Sequence, residues 1–393
     1  MRIDKRVIIR LIVVTIFALP ALPGYAFGAE KAVKIGIVWP ITGPISASGS
    51  YMVGGAKIAK AKINAEGGIL GRPIELLIED GANDPAQSVS AAEKLITREK
   101  VDVFMGCWGS SPTLAVSASV TRKYGIPHVA TTASSVKVTV QDGKRPNKWL
   151  FRISPTSRME AQGLAEVLVP KMGFTRVAFL AVNNDWGRGA AEEFSKVVQG
   201  SGGKVVAMEI INQEQTDFLT QLTKIRASRA NAIIVTTDMA QISLILKQRK
   251  ILGMKQRILT TGGGIVPEGL VELTGKKAAE GVLIDTFFAP WFPELTGIPE
   301  EVTWFVNAYL KAGNPFKGFG ECFRSYDGLK AVKAALEIAG TTNKDEVRKA
   351  FQRVDIEGLS GPLKFDEFGQ STPTIQVIQV KDGKPYVPAS LSP

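Results

Sequence analysis

The sequence predicts an α/β fold of two doubly wound units in series, each a parallel sheet with helices on both faces. From residue 30 onward, short apolar runs alternate with amphipathic stretches, and many runs are apolar throughout, as strands buried on both faces are. The rhythm stops near Arg152–Arg158 and restarts at Arg176. A chain of 393 residues is also long enough for two domains.

The first unit opens with the apolar run Lys34–Trp39 (KIGIVW), which predicts a buried strand. Met52–Ala65 then carries apolar residues at helical spacing. The same alternation predicts further strands over Ile74–Ile78, Val101–Met105 and Ile126–Ala130, and helices over Ala86–Arg98 and Pro112–Tyr124.

The second unit follows the same order, without a strict sequence repeat. Its predicted strands are Arg176–Val182, Lys204–Ile210, Ala232–Thr236 and Arg257–Thr261, and its predicted helices are Arg188–Gly200, Phe218–Ser228 and Gln241–Leu252. Beyond Gly281 come an apolar stretch to Phe288, predicted helices over Glu301–Ala312 and Tyr326–Ala339, and a strand-like segment over Thr374–Val380.

The amino terminus has the parts of a secretory signal peptide. Basic residues precede an apolar run over Leu11–Leu22, and small residues follow it. Pro20 and Pro23 leave this run too short for a membrane span, which needs about 20 residues. We therefore predict that residues 1–28 are a signal peptide, cleaved after Ala26 or Gly28, and that the mature chain is soluble and exported.

Charge and composition exclude several classes of function. The net charge of +11 falls to about +8 without residues 1–28, and the basic residues are interleaved with acidic ones, as in Lys344, Asp345 and Glu346. A nucleic-acid-binding protein would show basic stripes with aromatic residues between them. The two cysteines and the single histidine have no metal-ligand spacing. We expect no nucleic-acid partner and no metal.

The loops contain no G-x-G-x-x-G, Walker A or G-x-S-x-G motif in the required context. Cys107 and His128 fall at the ends of neighbouring predicted strands and could form a nucleophile pair. A buried thiol and a hydrogen-bonded polar side chain are the more common explanation for such residues. We expect no enzymatic activity and no cofactor.

Ligands of parallel sheets bind to the loops that follow the strands, and one such loop, Gly106–Pro112 (GCWGSSP), is informative. Ser111 suits the N-cap and Pro112 the first position of a helix. A helix N-terminus favours a carboxylate, and Ser110 and Ser111 would add hydroxyl donors. The alternative is a capping motif with no ligand.

Two further features follow strands in the same way. The loop Thr131–Ser135 offers small residues and hydroxyl donors, although an ordinary polar loop has the same composition. Trp108 and Trp186 also fall at strand ends, where they could stack on a ligand or pack one lobe against the other.

One stretch carries a family resemblance. Asn64–Ile96 (NAEGGILGRPIELLIEDGANDPAQSVSAAEKLI) resembles the branched-chain amino-acid (leucine, isoleucine, valine) binding proteins, which are type I periplasmic solute-binding proteins of ABC importers. The resemblance continues at Pro40–Pro44, Phe151–Arg152, Tyr326–Asp327 and Gly361–Asp366 and covers the mature chain. It implies two lobes joined by three crossovers, with lobe one at 31–153 and 287–359 and lobe two at 154–286 and 360–393. The lobes close over the ligand.

The resemblance also implies site residues. In the family, the ligand carboxylate is held by loops that match Ser110–Ser111 and Ala133–Ser134. An aromatic residue matching Trp186 covers the ligand from lobe two, and the loop at Asp238–Met239 faces the cleft. The candidate ligand-binding residues are therefore Trp108, Ser110, Ser111, Ala133, Ser134, Arg158, Trp186, Asp238 and Gly262.

The sequence departs from the family where amino-acid binders place carboxylates against the ligand ammonium. The matching positions are Ser157–Arg158 and Gly262. Either another acid replaces them, with Asp238 the first candidate and Asp185 the second, or the ligand has no ammonium. Arg158 and the tryptophans would suit an aromatic or other apolar carboxylate.

Together these patterns predict a monomeric, periplasmic solute-binding protein that captures a small apolar solute and delivers it to the membrane permease of an ABC importer. A branched-chain or other hydrophobic amino acid is the expected solute. An aromatic or other non-amino carboxylate, or an amide or urea, is the alternative. A sensor partner could also take the place of the permease.

Overall fold

The computed structural model describes residues 31–388 and contains a five-stranded sheet, a seven-stranded sheet and a two-stranded hairpin. The predicted signal peptide, residues 1–28, lies outside the described residues. The strands in chain order are β1 (Val33–Trp39), β2 (Ile74–Asp80), β3 (Val103–Gly106), β4 (His128–Ala130), β5 (Leu150–Arg152), β6 (Arg176–Val182), β7 (Lys204–Ile211), β8 (Ala232–Thr236), β9 (Arg257–Thr260), β10 (Leu283–Thr286), β11 (Asp355–Gly358), β12 (Gly361–Lys364), β13 (Gln376–Lys381) and β14 (Lys384–Tyr386).

The two main sheets confirm the predicted α/β class. The five-stranded sheet has the order β2-β1-β3-β4-β5 and is parallel throughout. The seven-stranded sheet has the order β14-β13-β10-β9-β8-β6-β7, and its strands β6 to β10 are parallel. Strands β13 and β14 add an antiparallel edge that the sequence pattern did not predict as such.

Helices connect the parallel strands. They are α1 (Ser46–Ala65), α2 (Pro85–Thr97), α3 (Ser110–Val116), α4 (Arg122–Tyr124), α5 (Ser157–Gly163), α6 (Ala165–Leu168), α7 (Asp185–Gly200), α8 (Leu219–Ala227), α9 (Met239–Ile251), α10 (Pro267–Thr274), α11 (Lys276–Ala279), α12 (Pro299–Lys311), α13 (Cys322–Ala339) and α14 (Lys344–Phe351). A π-helical turn over Ser117–Thr121 joins α3 to α4. None of the helices in residues 31–388 combines the length and the apolarity needed to cross a membrane.

Helix α1 begins at Ser46, six residues before the predicted start at Met52. The early part of this helix contains glycines, which weaken a helical pattern. Packing explains them: a Cβ at Gly55 would lie 2.0 Å from the carbonyl oxygen of Cys322 in α13. The glycine therefore lets α1 and α13 approach closely over the five-stranded sheet.

Residues from the last third of the chain return to the five-stranded sheet. Phe151 of β5 stacks on Phe351 of α14 with ring centroids 4.6 Å apart, and it meets Phe365 edge-on at 5.3 Å. We call this sheet with α1–α4 and α12–α14 the five-stranded half, and the other sheet with α5–α11 the seven-stranded half. The predicted lobe boundaries stay a prediction, and Phe365, which they assign to lobe two, packs in the five-stranded half.

Arg152 at the end of β5 links distant parts of the chain. Its side chain is completely buried, donates to the carbonyl of Ser135 at 2.6 Å and to Thr139 Oγ1 at 2.6 Å, and also bonds Gln370. Its N–H donates to the carbonyl of Gly369 at 2.8 Å. Burial lowers the pKa of Arg152 to about 9. The arginine of the Phe-Arg pair therefore has a structural role.

Candidate ligand-binding site

A cavity of about 50 Å³ lies where loops from both halves of the protein meet. Its walls come from residues that follow β3 and β4 in the five-stranded sheet and β6, β8 and β9 in the seven-stranded sheet, with further residues from the start of α1 and the region of α13. The lining residues are Ser48, Trp108, Gly109, Ser110, Thr132, Ser134, Trp186, Thr237, Asp238, Met239, Thr261, Gly262, Gly264, Ile265, Glu321 and Arg324. This is the carboxyl end of the parallel strands, where such folds bind ligands.

Six of the nine candidate residues lie around this cavity. They are Trp108, Ser110, Ser134, Trp186, Asp238 and Gly262. Ser111, Ala133 and Arg158 do not line it. The assignment of any of them to a ligand stays a prediction, and their contacts define what each could do.

Helix α3 begins at Ser110, and Gly109 is its N-cap with a φ of 82°. The predicted N-cap at Ser111 and first helical position at Pro112 were therefore wrong by two residues, because glycine adopts the left-handed backbone that this turn needs. Ser110 is buried, and its Oγ accepts a 3.0 Å hydrogen bond from the N–H of Ser135. That bond uses an acceptor lone pair and leaves the hydroxyl hydrogen for a ligand.

Ser111 faces the seven-stranded half instead of the cavity. Its hydroxyl donates to Asp185 Oδ2 at 2.8 Å. Asp185 is the first residue of α7 and was the second candidate for an ammonium partner. Both residues were predicted to contact the ligand, and they instead bond to each other across the two halves of the protein.

Ala133 and Arg158 have protein partners of their own. The carbonyl of Ala133 accepts from Arg152 Nη1 and from the Ser154 hydroxyl, both at 3.1 Å. Arg158 makes a two-pronged contact with Glu193, with Nε at 3.0 Å and Nη2 at 3.2 Å from the two carboxylate oxygens. Arg158 is half exposed and lies in a separate surface cavity with Asp185.

Trp186 and Gly262 form one wall of the cavity together. A Cβ added at Gly262 would lie 2.5 Å from the indole ring of Trp186, and Gly262 has a φ of 90°. Glycine is required here both for the close approach of the ring and for the left-handed backbone. The family resemblance implies a carboxylate at the position of Gly262. In this structure the glycine instead lets the aromatic ring of Trp186 form the wall of the cavity.

Asp238 lines the cavity and also begins a helix. It is the N-cap of α9, and its Oδ1 accepts from the N–H of Gln241 at 3.0 Å. Burial raises the pKa of Asp238 even though backbone N–H groups stabilise its charge. A cation placed beside this carboxylate would be bound favourably for that reason.

Sequence reasoning missed four buried ionisable residues at the site, Glu160, Asp285, Glu321 and Arg324. Glu321 and Arg324 line the cavity, and Arg324 Nε lies 3.3 Å from Glu321 Oε2. Burial raises the pKa of Glu321, and the charge of Arg324 partly offsets that rise. The sequence marked only one of the four, Asp285, which is a carboxylate inside the apolar run that forms β10.

The cysteine and the histidine are not arranged for catalysis. Both are buried, and burial raises the pKa of Cys107 to about 12 and lowers that of His128 to about 4. The His128 ring nitrogens contact the carbonyl of Gly106 at 2.5 Å and Thr121 Oγ1 at 3.2 Å. Within residues 31–388, no group of three or more His, Cys, Asp or Glu side chains is placed to hold a metal ion.

Comparison with known proteins agrees with this architecture. The family model described as periplasmic binding protein matches residues 32–385. The leucine-, isoleucine-, valine-, threonine-, and alanine-binding protein of Pseudomonas aeruginosa is 25% identical over 356 residues, which are 90% of this chain and 91% of that protein.

Two solved structures share the fold. The branched-chain amino acid transporter substrate binding protein LivJ from Streptococcus pneumoniae, in complex with isoleucine, matches with a TM-score of 0.80 and 25% identity over 91% of this chain and 98% of LivJ. An ABC-transporter solute binding protein from R. palustris in complex with benzoate has a TM-score of 0.79 at 19% identity, over 91% and 95% of the two chains, which supports the fold alone. The chain therefore belongs to the periplasmic binding protein family, as a solute-binding protein of an ABC transporter and not an enzyme.

Proposed function

We propose that the protein captures a hydrophobic amino acid of the branched-chain class in the periplasm and delivers it to an ABC permease. The observation that carries the proposal is that one cavity combines hydroxyl donors, two tryptophans and two carboxyl groups, of which Glu321 is buried and Asp238 is half-buried. A zwitterion with an apolar side chain uses all three. The residues 1–28 that resemble a signal peptide and the family itself support the periplasmic location.

The carboxylate of the solute would bind at Ser110 and Ser134. The N-terminus of the helical segment that starts at Ser110 adds N–H groups and a partial positive charge. Thr132, which also lines the cavity, fixes this region because its Oγ1 accepts from the N–H of Gly109 at 3.0 Å and donates to the carbonyl of Cys107 at 3.2 Å.

The ammonium of the solute would bind beside Asp238, with Glu321 as a second acid. Leaving a buried ammonium without a partner costs about 3–5 kcal/mol, which corresponds to roughly two to three orders of magnitude in affinity. Asp238 and Glu321 both have a raised pKa because of burial, so each gains from a nearby cation. Arg324 compensates only part of the negative charge around the cavity.

The apolar side chain of the solute would lie against Trp108 and Trp186. Ile265 and Met239 extend the same apolar surface. Burying a Val-, Leu- or Ile-sized side chain contributes about 1.5–3 kcal/mol, so this surface gives affinity without demanding a particular polar group. The relative from Pseudomonas aeruginosa, named for binding leucine, isoleucine, valine, threonine and alanine, is consistent with this class.

One observation favours a second candidate, a non-amino carboxylate such as an aromatic acid. Arg324 also lines the cavity and could pair with a carboxylate, while the two tryptophan rings could stack on an aromatic solute. An amide or a urea would need no charge partner at all. A sensor protein in place of the permease would leave the solute site unchanged.

A thermal-shift screen of protein freed of carried-over solute by unfolding and refolding tests the proposal. The panel contains leucine, isoleucine, valine, phenylalanine, 4-methylpentanoate (leucine without its amine), benzoate, 4-hydroxybenzoate, urea and short amides. A solute that binds only the native state raises the melting temperature in proportion to ln(1 + [L]/Kd). We expect leucine, isoleucine and valine to stabilise the protein and 4-methylpentanoate to do so far less. Stabilisation by the amine-free acids alone would contradict an amino-acid function.

A further inference from the structure

A pair of carboxyl groups lies directly behind the Gly262 wall of the cavity. Glu160 and Asp285 are both completely buried. Glu160 Oε2 accepts from the N–H of Gly262 at 3.2 Å, and Asp285 Oδ1 accepts from the N–H of Gly263 at 3.1 Å. The pair therefore holds two successive residues of the loop that forms this wall.

The other oxygens of the pair, Glu160 Oε1 and Asp285 Oδ2, are buried and have no hydrogen-bond partner within residues 31–388. Two neighbouring buried carboxylates repel each other, so the pair is more stable with a proton on one of them. Burial and the neighbouring carboxylate raise the pKa of Glu160 well above its ordinary value, and burial raises that of Asp285 to about 7. One proton on the pair relieves this repulsion, and the loop N–H groups and Arg324 stabilise the remaining negative charge.

Charged groups on other elements face this pair. Arg324 of α13 interacts electrostatically with both carboxyl groups and with Glu321, and Arg152 at the end of β5 interacts with Glu160. Arg324 Nη2 donates to the carbonyl of Gly262 at 2.7 Å. Since Arg324 belongs to the five-stranded half, the loop is held from both halves of the protein.

Ser134 connects the pair to the solute cavity. Its carbonyl accepts from the N–H of Ser157, the first residue of the helix that carries Glu160, at 2.7 Å, and its side chain interacts with Glu160 and lines the cavity. While Glu160 carries the proton, the hydroxyl hydrogen of Ser134 is available to a solute carboxylate. Once Glu160 ionises, that hydrogen turns to the buried carboxylate, because a buried charge without a partner is costly.

We propose that Glu160 is a proton-linked positioning residue of the solute site, which keeps Ser134 and the Gly262 loop ready for the solute only while it shares its proton with Asp285. The inference rests on the proposed function only in placing a solute carboxylate at Ser134. Affinity is then full at the lower pH and is lost as the pH rises through the range in which the pair gives up its proton.

Calorimetric titration with L-leucine from about pH 6 to about pH 9.5 tests this linkage. We expect the affinity of the wild type to fall at least about tenfold, as for a lost hydrogen bond to a charged group. Glu160→Gln keeps the size and the acceptor of the side chain and cannot ionise, so its affinity should stay constant. Asp327→Asn is the matched control: Asp327 is another buried carboxyl, bonded to Ser360 and to the N–H of Leu359, and its variant should keep the pH dependence of the wild type.

A second readout needs no solute. The indole of Trp186 lies against Gly262, so tryptophan fluorescence reports on the loop. We expect a reversible change of this signal over the same pH range in the wild type, and none in Glu160→Gln or Trp186→Phe. If leucine bound at no pH, the proposed function would be wrong, but the fluorescence test would still apply because it needs no solute. A flat signal in the wild type, or an equal titration in Glu160→Gln, would overturn the inference.

Discussion

The Ser111 hydroxyl and the Asp185 carboxylate form a 2.8 Å hydrogen bond that joins α3 in the five-stranded half to α7 in the seven-stranded half. The N–H of Asp185 also donates to Ser111 Oγ at 3.3 Å. The two residues therefore fasten the halves together beside the cavity without lining it. If solute binding requires the halves to be closed, this contact contributes to affinity indirectly.

Ser111→Ala is expected to weaken leucine binding by about tenfold, since a hydrogen bond to a charged group contributes about 1.5–3 kcal/mol and this one is partly exposed. Isothermal titration calorimetry measures the affinity, and small-angle X-ray scattering of the solute-free variant should show a larger radius of gyration. Arg158→Ala is the control, because the Arg158–Glu193 pair lies within one half and its arginine is half exposed. Equal affinities in Ser111→Ala and the wild type would contradict a fastening role.

Asp238→Asn tests the ammonium partner. Asparagine caps helices as well as aspartate does, so α9 should keep its N-cap while the negative charge is lost. We expect leucine affinity to fall by about two orders of magnitude and the affinity for 4-methylpentanoate to change by less than about threefold. An unchanged affinity for leucine would transfer the role to Glu321, and Glu321→Gln would then be the variant to measure.

Gly262→Ala tests the close approach of Trp186 to the backbone. The added Cβ would lie 2.5 Å from the indole ring, so the ring must move and solute binding should weaken at least about tenfold. Gly253→Ala is a matched control, because Gly253 also has a positive φ but has no heavy atom within 4 Å of the added Cβ. Both variants should be less stable, because alanine is strained at a positive φ, and a lower melting temperature measures this loss. Only Gly262→Ala should also lose affinity for the solute.

Asp285→Asn should flatten the dependence of stability on pH. The native pKa of Asp285 is about 7, above its ordinary value, so its contribution to the free energy of unfolding is present in acid and is lost as the pH rises from about 4 through about 7. The wild type should therefore melt at a lower temperature near pH 8 than near pH 5, and the variant should show a smaller difference. Scanning calorimetry across this range measures it, and an identical slope in both proteins would be the contrary result.

Apolar periodicity was sufficient to predict most of the fold. The strands Arg176–Val182 and Ala232–Thr236 have the predicted bounds because each contains a continuous apolar run that turn residues delimit. Helix α1 was predicted too short because its glycines weaken the local helical pattern. They are explained by the close packing of α1 against α13, which the local sequence does not reveal. The antiparallel pairing of the edge strands β13 and β14 could not be predicted either, because it depends on contacts between distant parts of the chain.

The sequence pattern predicted site residues where they lie in loops that directly follow a strand. Trp108, Ser110 and Trp186 were found in this way, and the structure brings them to one cavity. Glu160 and Arg324 could not be found, because a buried charge looks like a surface charge until its surroundings are known. Ser111 was misassigned for a related reason, since α3 begins two residues before the predicted start and this decides which serine faces the cavity.

The bond between Arg152 and Gln370 spans 218 residues of chain, which has a consequence for biogenesis. Loop-closure entropy makes such distant pairings slow to form. A growing chain that has not yet reached Gln370 lacks both this contact and strand β13, so the seven-stranded sheet and the link from β5 to the C-terminal segment form only late in synthesis. The complete native structure should therefore form only when nearly all of the polypeptide has been made.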